Sequence, residues 1–475
     1  MREYLKFYID GQWVDPVAPK TLAVENPATE QACGTIALGS AADVDKAVHA
    51  ARKAFASWSQ SSRAQRLDLL QNITAEYRKR AADMAVAVTQ EMGAPASLAR
   101  NSHVPLGIGH LSVAIDVLKT FAFEEQRGAT LIAREPIGVC GLITPWNWPL
   151  NQIAVKVFPA LATGCTVVLK PSEVAPFSGQ IFAEVMHAAG VPAGVFNLVH
   201  GDGPGVGVAL SCHPDVDMIS FTGSTRAGIE ITRNAAPTVK RLSLELGGKS
   251  PRILLDDAAF AAGVSMGVAA MMGNCGQTCA AGSRLLVPNT RMDEAIAIAR
   301  EAAARVTVGD PDSDVGMGPA ASQVQFDKIQ ALIRKGIDEG ATLVVGGTGK
   351  PEGLSRGHYV KPTVFSHVGN DMSIAREEIF GPVLSIIGYD SVDQAIEIAN
   401  DTEYGLSAYV HAADLEQARA IARRIRSGQV SINNGFDFTA PFGGYKKSGN
   451  GREWGEYGFN EFLETKAILG YAPQD

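Results

Sequence analysis

An excess of positive charge is missing from this chain: 42 Lys and Arg stand against 50 Asp and Glu, a net charge of −8. Nucleic-acid surfaces need basic patches that neutralise phosphates, so that partner is excluded, and Arg423, Arg424 and Arg426 read as a solvated helix face. Long apolar runs are missing too. No window reaches the roughly 18 uncharged apolar residues of a membrane span, so no membrane partner is expected. The opening Met1-Arg2-Glu3-Tyr4-Leu5-Lys6 lacks the basic-then-apolar pattern of a secretory signal. Cysteine is scarce: six residues (33, 140, 165, 212, 275 and 279) suit free thiols in a reducing cytoplasm. Cys275 and Cys279 lack the two-residue spacer of a zinc or thioredoxin-like pair, and no His or carboxylate cluster supplies further ligands. No metal is expected.

What is present is a well-buried globular composition, 46% hydrophobic against 19% charged, in a chain of 475 residues, too long for one ordinary core. Phe7-Tyr8-Ile9, Asp10-Gly11 and Trp13-Val14 spell a hairpin, because Asp-Gly supplies the positive-φ turn. Three amphipathic helices follow, one from near Ala42 and the others over Arg63–Met92 and Ser97–Phe121, with apolar positions recurring at three and four. From Gly138 the pattern becomes apolar strands spaced by helices: Val139–Ile143, Thr166–Leu169, Val195–Val199 and Met218–Phe221. A second series runs through Arg252–Leu255, Leu285–Val287, Leu343–Val345, Val383–Ile387, Ala408–Val410 and Val430–Ile432. Buried strands with helical crossovers mean parallel sheets, so the expectation is α/β, in two domains with a seam near Leu246–Ser250. Thr130–Arg134 and Glu464–Tyr471 fall outside this rhythm; they form either a small sheet whose edges invite another subunit or two edge strands of one monomer.

The stretch with the most chemistry is Gly276-Gln277-Thr278-Cys279-Ala280-Ala281-Gly282-Ser283-Arg284. Small residues and glycines leave an open backbone around one cysteine, with room for a reactant against a nucleophilic thiolate; a small buried hydrophobe is the plainer reading. In Pro145-Trp146-Asn147-Trp148-Pro149 two prolines stiffen a turn and leave one amide, either an oxyanion donor or a turn-stabilising Asn. Lys170-Pro171-Ser172-Glu173 ends a strand, where open α/β sheets bind ligands. Its Lys and Glu suit a ribose's hydroxyls, or are a surface ion pair. Phe221-Thr222-Gly223-Ser224-Thr225 is a strand-to-helix turn suited to phosphate. The usual G-x-G-x-x-G is absent: Gly201-Asp202-Gly203-Pro204-Gly205-Val206-Gly207 puts Val206 where the third glycine belongs. Gly247-Gly248-Lys249-Ser250 mimics a P-loop end, but Ser243 stands where its first glycine is required. Leu244-Glu245-Leu246 sets a carboxylate between leucines, where burial raises its pKa toward that of a general base; a helix-cap or ion-paired Glu is the alternative.

Taken in order with Glu377-Glu378-Ile379-Phe380-Gly381-Pro382 and Pro441-Phe442-Gly443-Gly444, these stretches resemble the aldehyde dehydrogenase superfamily from Phe7 to about Gly470. The resemblance implies an atypical Rossmann-like NAD-binding domain (1–118 and 137–247), an α/β catalytic domain (248–448), and a bridging sheet from 119–136 and 460–475 that joins a homodimer or homotetramer. It implies Cys279 as nucleophile, Asn147 with the Cys279 N–H as oxyanion donors, Glu245 as the base for hydrolysis, and Lys156 and Glu453 as a proton relay. Its cofactor set is Ile143, Thr144, Pro145, Trp146, Lys170, Ser172, Glu173, Gly203, Phe221, Gly223, Ser224, Leu246, Glu378 and Phe380. NAD is favoured over NADP because Glu173 would repel a 2′-phosphate. Glu245 argues for hydrolysis, since relatives that pass the acyl group to coenzyme A lack it.

The implied substrate tunnel is Trp148, Gln152, Val155, Thr278, Ala280, Phe436, Phe438 and Phe442. Val155 stands where succinic-semialdehyde enzymes carry a carboxylate-gripping arginine, so the expected substrate is a medium-sized apolar or aromatic aldehyde, or an ω-oxo acid with a distant carboxylate. Two other readings stay open: a cysteine hydrolase built on Cys279, Glu245 and Lys249, and a binding protein without catalysis.

Overall fold

A computed structural model describes residues 1–472, so the last three positions of the 460–475 segment lie outside the described residues. Five strands, four of them wholly buried and Arg241–Glu245 buried over its last three residues, form the parallel centre of an eight-stranded sheet, and their apolar, β-branched text is what burial on both faces requires. Across the sheet they run Arg241–Glu245, Met218–Thr222, Val139–Ile143, Thr166–Lys170, Phe196–Leu198. Numbered along the chain that order is 5-4-1-2-3, so direction of travel reverses between Val139–Ile143 and Met218–Thr222. Open sheets bind ligands outside the carboxyl ends of strands at such a reversal. Here those ends are Thr144–Asn147 and Gly223–Ser224. Antiparallel strands close both edges: the predicted Phe7–Val14 hairpin, with Asp10 and Gly11 at positive φ, and the short Gly449–Asn450 strand beside Glu245.

A second, seven-stranded sheet is parallel except for its Thr342–Val345 edge. Its centre is Val383–Tyr389, Arg284–Pro288, Pro251–Leu254 and Ser407–His411. Glu245 ends a strand of the first sheet and Pro251 begins one of the second, so the carboxyl ends of one face the amino ends of the other across the Leu246–Ser250 link. Thr130–Pro136 does pair with Leu463–Ile468, in a separate three-stranded sheet with Glu124–Arg127. A further small sheet, Arg2–Tyr4, Gln31–Leu38 and Lys20–Asn26, has no counterpart in the sequence reading; its strands are half exposed and carry no continuous apolar run. Nor was Thr363–Ser366 anticipated.

The helix expected over 97–121 is interrupted. Ala96–Leu98 passes into a π-helical turn, Ala99–His103, and then into Val104–Thr120. Pro105 at the start of the last segment has no N–H to donate, and the wider turn absorbs the missing bond. Among the described residues no helix is long and apolar enough to cross a membrane, and no group of His, Cys, Asp or Glu could hold a metal ion.

Four of the buried histidines are held below the ordinary 6.5. Burial holds His103 and His200 down to about 3 and His110 to about 4, and burial with the neighbouring Arg252 holds His411 to about 4. Their folded pKa values lie below the unfolded one, so the unfolded chain binds more protons in acid. The stability they contribute is complete above pH 6.5 and is lost as pH falls through that value toward 4 and 3. Each contributes a slope of up to about 1.4 kcal/mol per pH unit. Urea midpoints measured from pH 7 to 4.5 should therefore fall steeply. His200→Gln, whose amide can still meet Gln180 (2.9 Å from His200 Nε2), should flatten the fall; an unchanged slope would show that His200 does not supply it.

Candidate active site

At the reversal point the two sheets enclose a cavity of about 170 Å³ lined by Pro145, Trp146, Asn147, Thr222, Gly223, Ser224, Leu246, Gly247, Cys279, Gln325, Lys328, Glu378 and Phe380. Nine of these were expected as site residues, and Thr222 and Gly247 stand within stretches already singled out; Gln325 and Lys328, on the Gln323–Asp338 helix, were not expected, because nothing in an ordinary amphipathic helix marks which of its polar residues meets a cleft. Cys279 and Asn147 therefore face one space. Glu378 accepts a hydrogen bond from the Gly248 N–H at 2.9 Å. Gly247 must be glycine for this, since a Cβ there would sit 2.4 Å from Glu378 Oε2. Phe380, at φ 58°, turns its ring edge-on to Trp146 at 5.4 Å.

The cysteine loop is not the loose segment its small residues suggested. Asn147 Nδ2 donates to the Gln277 carbonyl (3.0 Å), Asn274 Nδ2 donates to the Asn147 carbonyl (2.9 Å), and Trp148 Nε1 donates to Thr278 Oγ1 (2.9 Å). Tyr409 holds the Ala280 carbonyl at 2.8 Å. Asn274 and Cys275 take left-handed φ values of 51° and 56°, a cost tolerated where the surroundings fix it and common at functional sites. Cys275 is thus buried off the helix, not one helical turn below Cys279. Burial, then the nearby Glu378 and Glu245 carboxylates, pushes the Cys279 thiol up to about 12.

Glu245 ends its strand 2% exposed, with neither carboxyl oxygen hydrogen-bonded. Burial first, and the neighbouring Glu453 second, raise its pKa well above the ordinary 4.5. Room for the group comes from Gly443, where a Cβ would lie 2.7 Å from Glu245 Oε1. Buried Lys156 is ion-paired with Glu453 and donates to Thr222 Oγ1 at 2.7 Å. Thr222 is the strand neighbour of Glu245, so all three expected proton-handling groups meet.

Along the same strand ends, Lys170 donates to the Gly201 carbonyl (2.7 Å) and Glu173 (3.2 Å), and its own carbonyl accepts from Thr144 N–H (3.1 Å). Thr144 Oγ1 is buried without a partner. Ile143 and Phe221 are buried at the two strand ends, Ser172 caps the Val174 N–H, and Gly203 opens an exposed π-helical turn with open space beside it. These residues flank the cavity without lining it.

On the other side, Trp148, Gln152 and Val155 start the Pro149–Thr163 helix, with Thr278 and Ala280 opposite. Phe442 stacks on Trp454 (4.7 Å, 16°); Phe438 and the exposed Phe436 meet edge to face at 4.8 Å, and both reach Trp454. His110 closes the group against Phe438 and Trp454. Trp454 follows Glu453 directly and was readable only as an isolated aromatic.

A thiol, an amide and an unpaired buried carboxyl come together at a strand reversal of the kind where open α/β sheets bind ligands, the setting of an α/β enzyme. The aldehyde dehydrogenase family model matches residues 13–468, and this chain belongs to that family. It is 56% identical over 474 residues, 99% of both chains, to a 3-succinoylsemialdehyde-pyridine dehydrogenase from a Pseudomonas species. It is 50% identical over 473 residues, 99% of this chain and 100% of the other, to a putative aldehyde dehydrogenase of Staphylococcus saprophyticus. A cysteine-to-alanine variant of aldehyde dehydrogenase C from Pseudomonas syringae, crystallised with NAD+ and octanal, superposes with a TM-score of 0.98 at 55% identity, covering 99% of this chain and 97% of that one. An aldehyde dehydrogenase of Mycobacterium tuberculosis complexed with NAD+ gives 0.96 at 40% identity, covering 99% of each.

Proposed function

We propose that this chain oxidises an aldehyde to its carboxylic acid with NAD, by way of a thioester on Cys279. The observation that carries this reading is the shared cavity of Cys279, Asn147 and Glu378 at the strand reversal. The cleft suits a dinucleotide: Thr144 Oγ1 waits unpaired, Gly247 leaves out a Cβ beside Glu378, and Lys170 and Glu173 stand at an adjacent strand end. Ile143–Trp146, Ser172, Gly203, Phe221–Ser224, Leu246 and Phe380 complete the surface that would hold it. When bound, the nicotinamide supplies the acceptor for the hydride whose loss turns a thiohemiacetal into a thioester.

The chain's own residues do the rest. The Cys279 thiol gives its proton to water, the thiolate sulfur adds to the aldehyde carbon, and the new oxyanion is held by the second N–H of the Asn147 amide and the Cys279 backbone N–H. Glu245, which no other group engages, takes the proton of an attacking water; Lys156 and Glu453 pass it onward. Hydrolysis breaks the C–S bond, releasing the acid and the thiol.

For substrate, Trp148, Gln152, Val155, Thr278 and Ala280, with the aromatic cluster of Phe436, Phe438, Phe442 and Trp454, would favour a medium-sized apolar or aromatic aldehyde; an ω-oxo acid is the alternative. The pyridine-bearing substrate named for the Pseudomonas relative and the octanal of the P. syringae structure support an apolar substrate. The exposed edge strand Leu463–Ile468 supports a homodimer or homotetramer, and six free cysteines suit a reducing cytoplasm.

An aldehyde panel run with NAD and NADP side by side, followed at NADH absorbance, tests the reading. Turnover of aliphatic and aryl aldehydes is expected with NAD and far less with NADP, because the Glu173 carboxylate faces the added phosphate. Ester or amide turnover indifferent to NAD, with no aldehyde oxidised, would establish a cysteine hydrolase instead.

A further inference from the structure

His103 is fully buried, and both of its ring nitrogens lack a hydrogen-bond partner. It is the last residue of the π-helical turn Ala99–His103, a form that recurs at functional sites. Its ring lies flat on the Trp148 indole, with centroids 4.1 Å apart and planes 19° from parallel. Beside it sits Asn274, whose amide nitrogen is already committed to the Asn147 carbonyl (2.9 Å) and, more loosely, to the Gln277 carbonyl (3.4 Å). The Asn274 Oδ1 is itself buried and unpartnered. Asn274 is the one side chain whose hydrogen bonding opposes the effect of burial on the His103 pKa, although the two groups are not aligned as a bond in this conformation.

A neutral imidazole has one N–H to give, and Asn274 has one oxygen free to accept it. Orphaned buried polar groups are costly and rare, and here an unmatched donor and an unmatched acceptor are neighbours. Closing that bond fixes Asn274 with its NH₂ toward Asn147. Stacking at the same time fixes Trp148, whose indole N–H holds Thr278, next to Cys279.

We propose that His103 is a positioning residue for the oxyanion donor, acting through Asn274 on Asn147 and by stacking on Trp148. This rests on the reading of Asn147 given above. A donor misplaced by about 1 Å costs on the order of 100-fold in rate, and loss of an oxyanion donor about 100- to 1,000-fold.

The test compares His103→Phe, which keeps the stack without the N–H, with His103→Gln, which keeps a donor without the stack. Two assays are run: aldehyde oxidation, and hydrolysis of a p-nitrophenyl ester without cofactor. His103→Phe should lower kcat at least about 10-fold in both assays, with KM for NAD unchanged; His103→Gln should fall less. In His103→Phe/Asn147→Ala, kcat should be no more than about twofold below Asn147→Ala alone, because coupled residues do not add. If His103→Phe fails to fold, Asn274→Gly, tolerated at its positive φ, should give the same loss and the same lack of additivity. Wild-type kcat in His103→Phe, or multiplicative losses in the double variant, would overturn the proposal. If Asn147→Ala itself turns over at the wild-type rate, it is the oxyanion reading that has failed.

Discussion

Cys279→Ala should yield a folded protein that binds NAD and forms no NADH from any aldehyde. The expected loss in kcat is at least 10⁴-fold and on the order of 10⁶-fold, the scale seen when an acyl-transfer enzyme loses its nucleophile. Nothing else in the cavity can replace the sulfur. Cys275 is 1% exposed on a left-handed backbone turn, and burial pushes its thiol up to about 12. Of the other four, Cys33 is on the small N-terminal sheet, Cys140 on the first sheet, Cys165 in the loop before the Thr166–Lys170 strand and Cys212 at the end of a helix, and none lines the cavity. Folding should be indifferent to the change, because the Cys279 side chain is only partly buried beside the cavity and the hydrogen bonds that hold its loop run through Asn147, Asn274, Trp148 and Tyr409. Cofactor binding reads out separately: Trp146 lines the cavity against Phe380, so NAD should quench its fluorescence equally in variant and wild type. NADH formation by the variant at more than about a hundredth of the wild-type rate would remove Cys279 from the chemistry.

That Cys279 could be singled out beforehand, while much of what surrounds it could not, has a physical reason. Apolar β-branched runs announce buried parallel strands, and Val139–Ile143 and Met218–Thr222 lie within a residue of where periodicity placed them. Asp10-Gly11 announced its turn through backbone chemistry alone. Motif order carried Asn147, Glu245, Cys279 and Glu378 to one seam. What stayed hidden was whatever depends on which residues from distant elements meet. His103 and Trp148 are 45 positions apart, and Asn274 looks like any loop amide until its oxygen is found buried and unpaired. The half-exposed strands Lys20–Asn26 and Gln31–Leu38 gave no period clear enough to separate from loop. Pro105 lies inside a stretch expected to be one helix, and only the fold shows that a π turn absorbs it and delivers His103 against the active site.

Glu245→Gln should separate the two halves of the reaction. The amide matches the carboxylate in shape and cannot accept a proton, so acyl-enzyme formation should survive and its hydrolysis fail. Mixing the variant with NAD and excess aldehyde should give a burst of one NADH per site, followed by a steady rate lowered about 10²- to 10⁴-fold, the contribution expected of a positioned base. The pH profile should change with it. Burial raises the Glu245 pKa well above 4.5, so the wild-type steady rate should climb as pH rises through that pKa and the carboxylate appears; the variant should lose this limb. Stability should not suffer, because the acid has no hydrogen-bond partner to lose and its charged form is opposed by burial and by Glu453. Equal slowing of burst and steady rate would move Glu245 to deprotonating the Cys279 thiol, which sits at about 12 and needs a proton acceptor within reach. An undiminished steady rate would leave Lys156 and Glu453 without a base to serve, and the hydrolytic half of the mechanism without its proton acceptor.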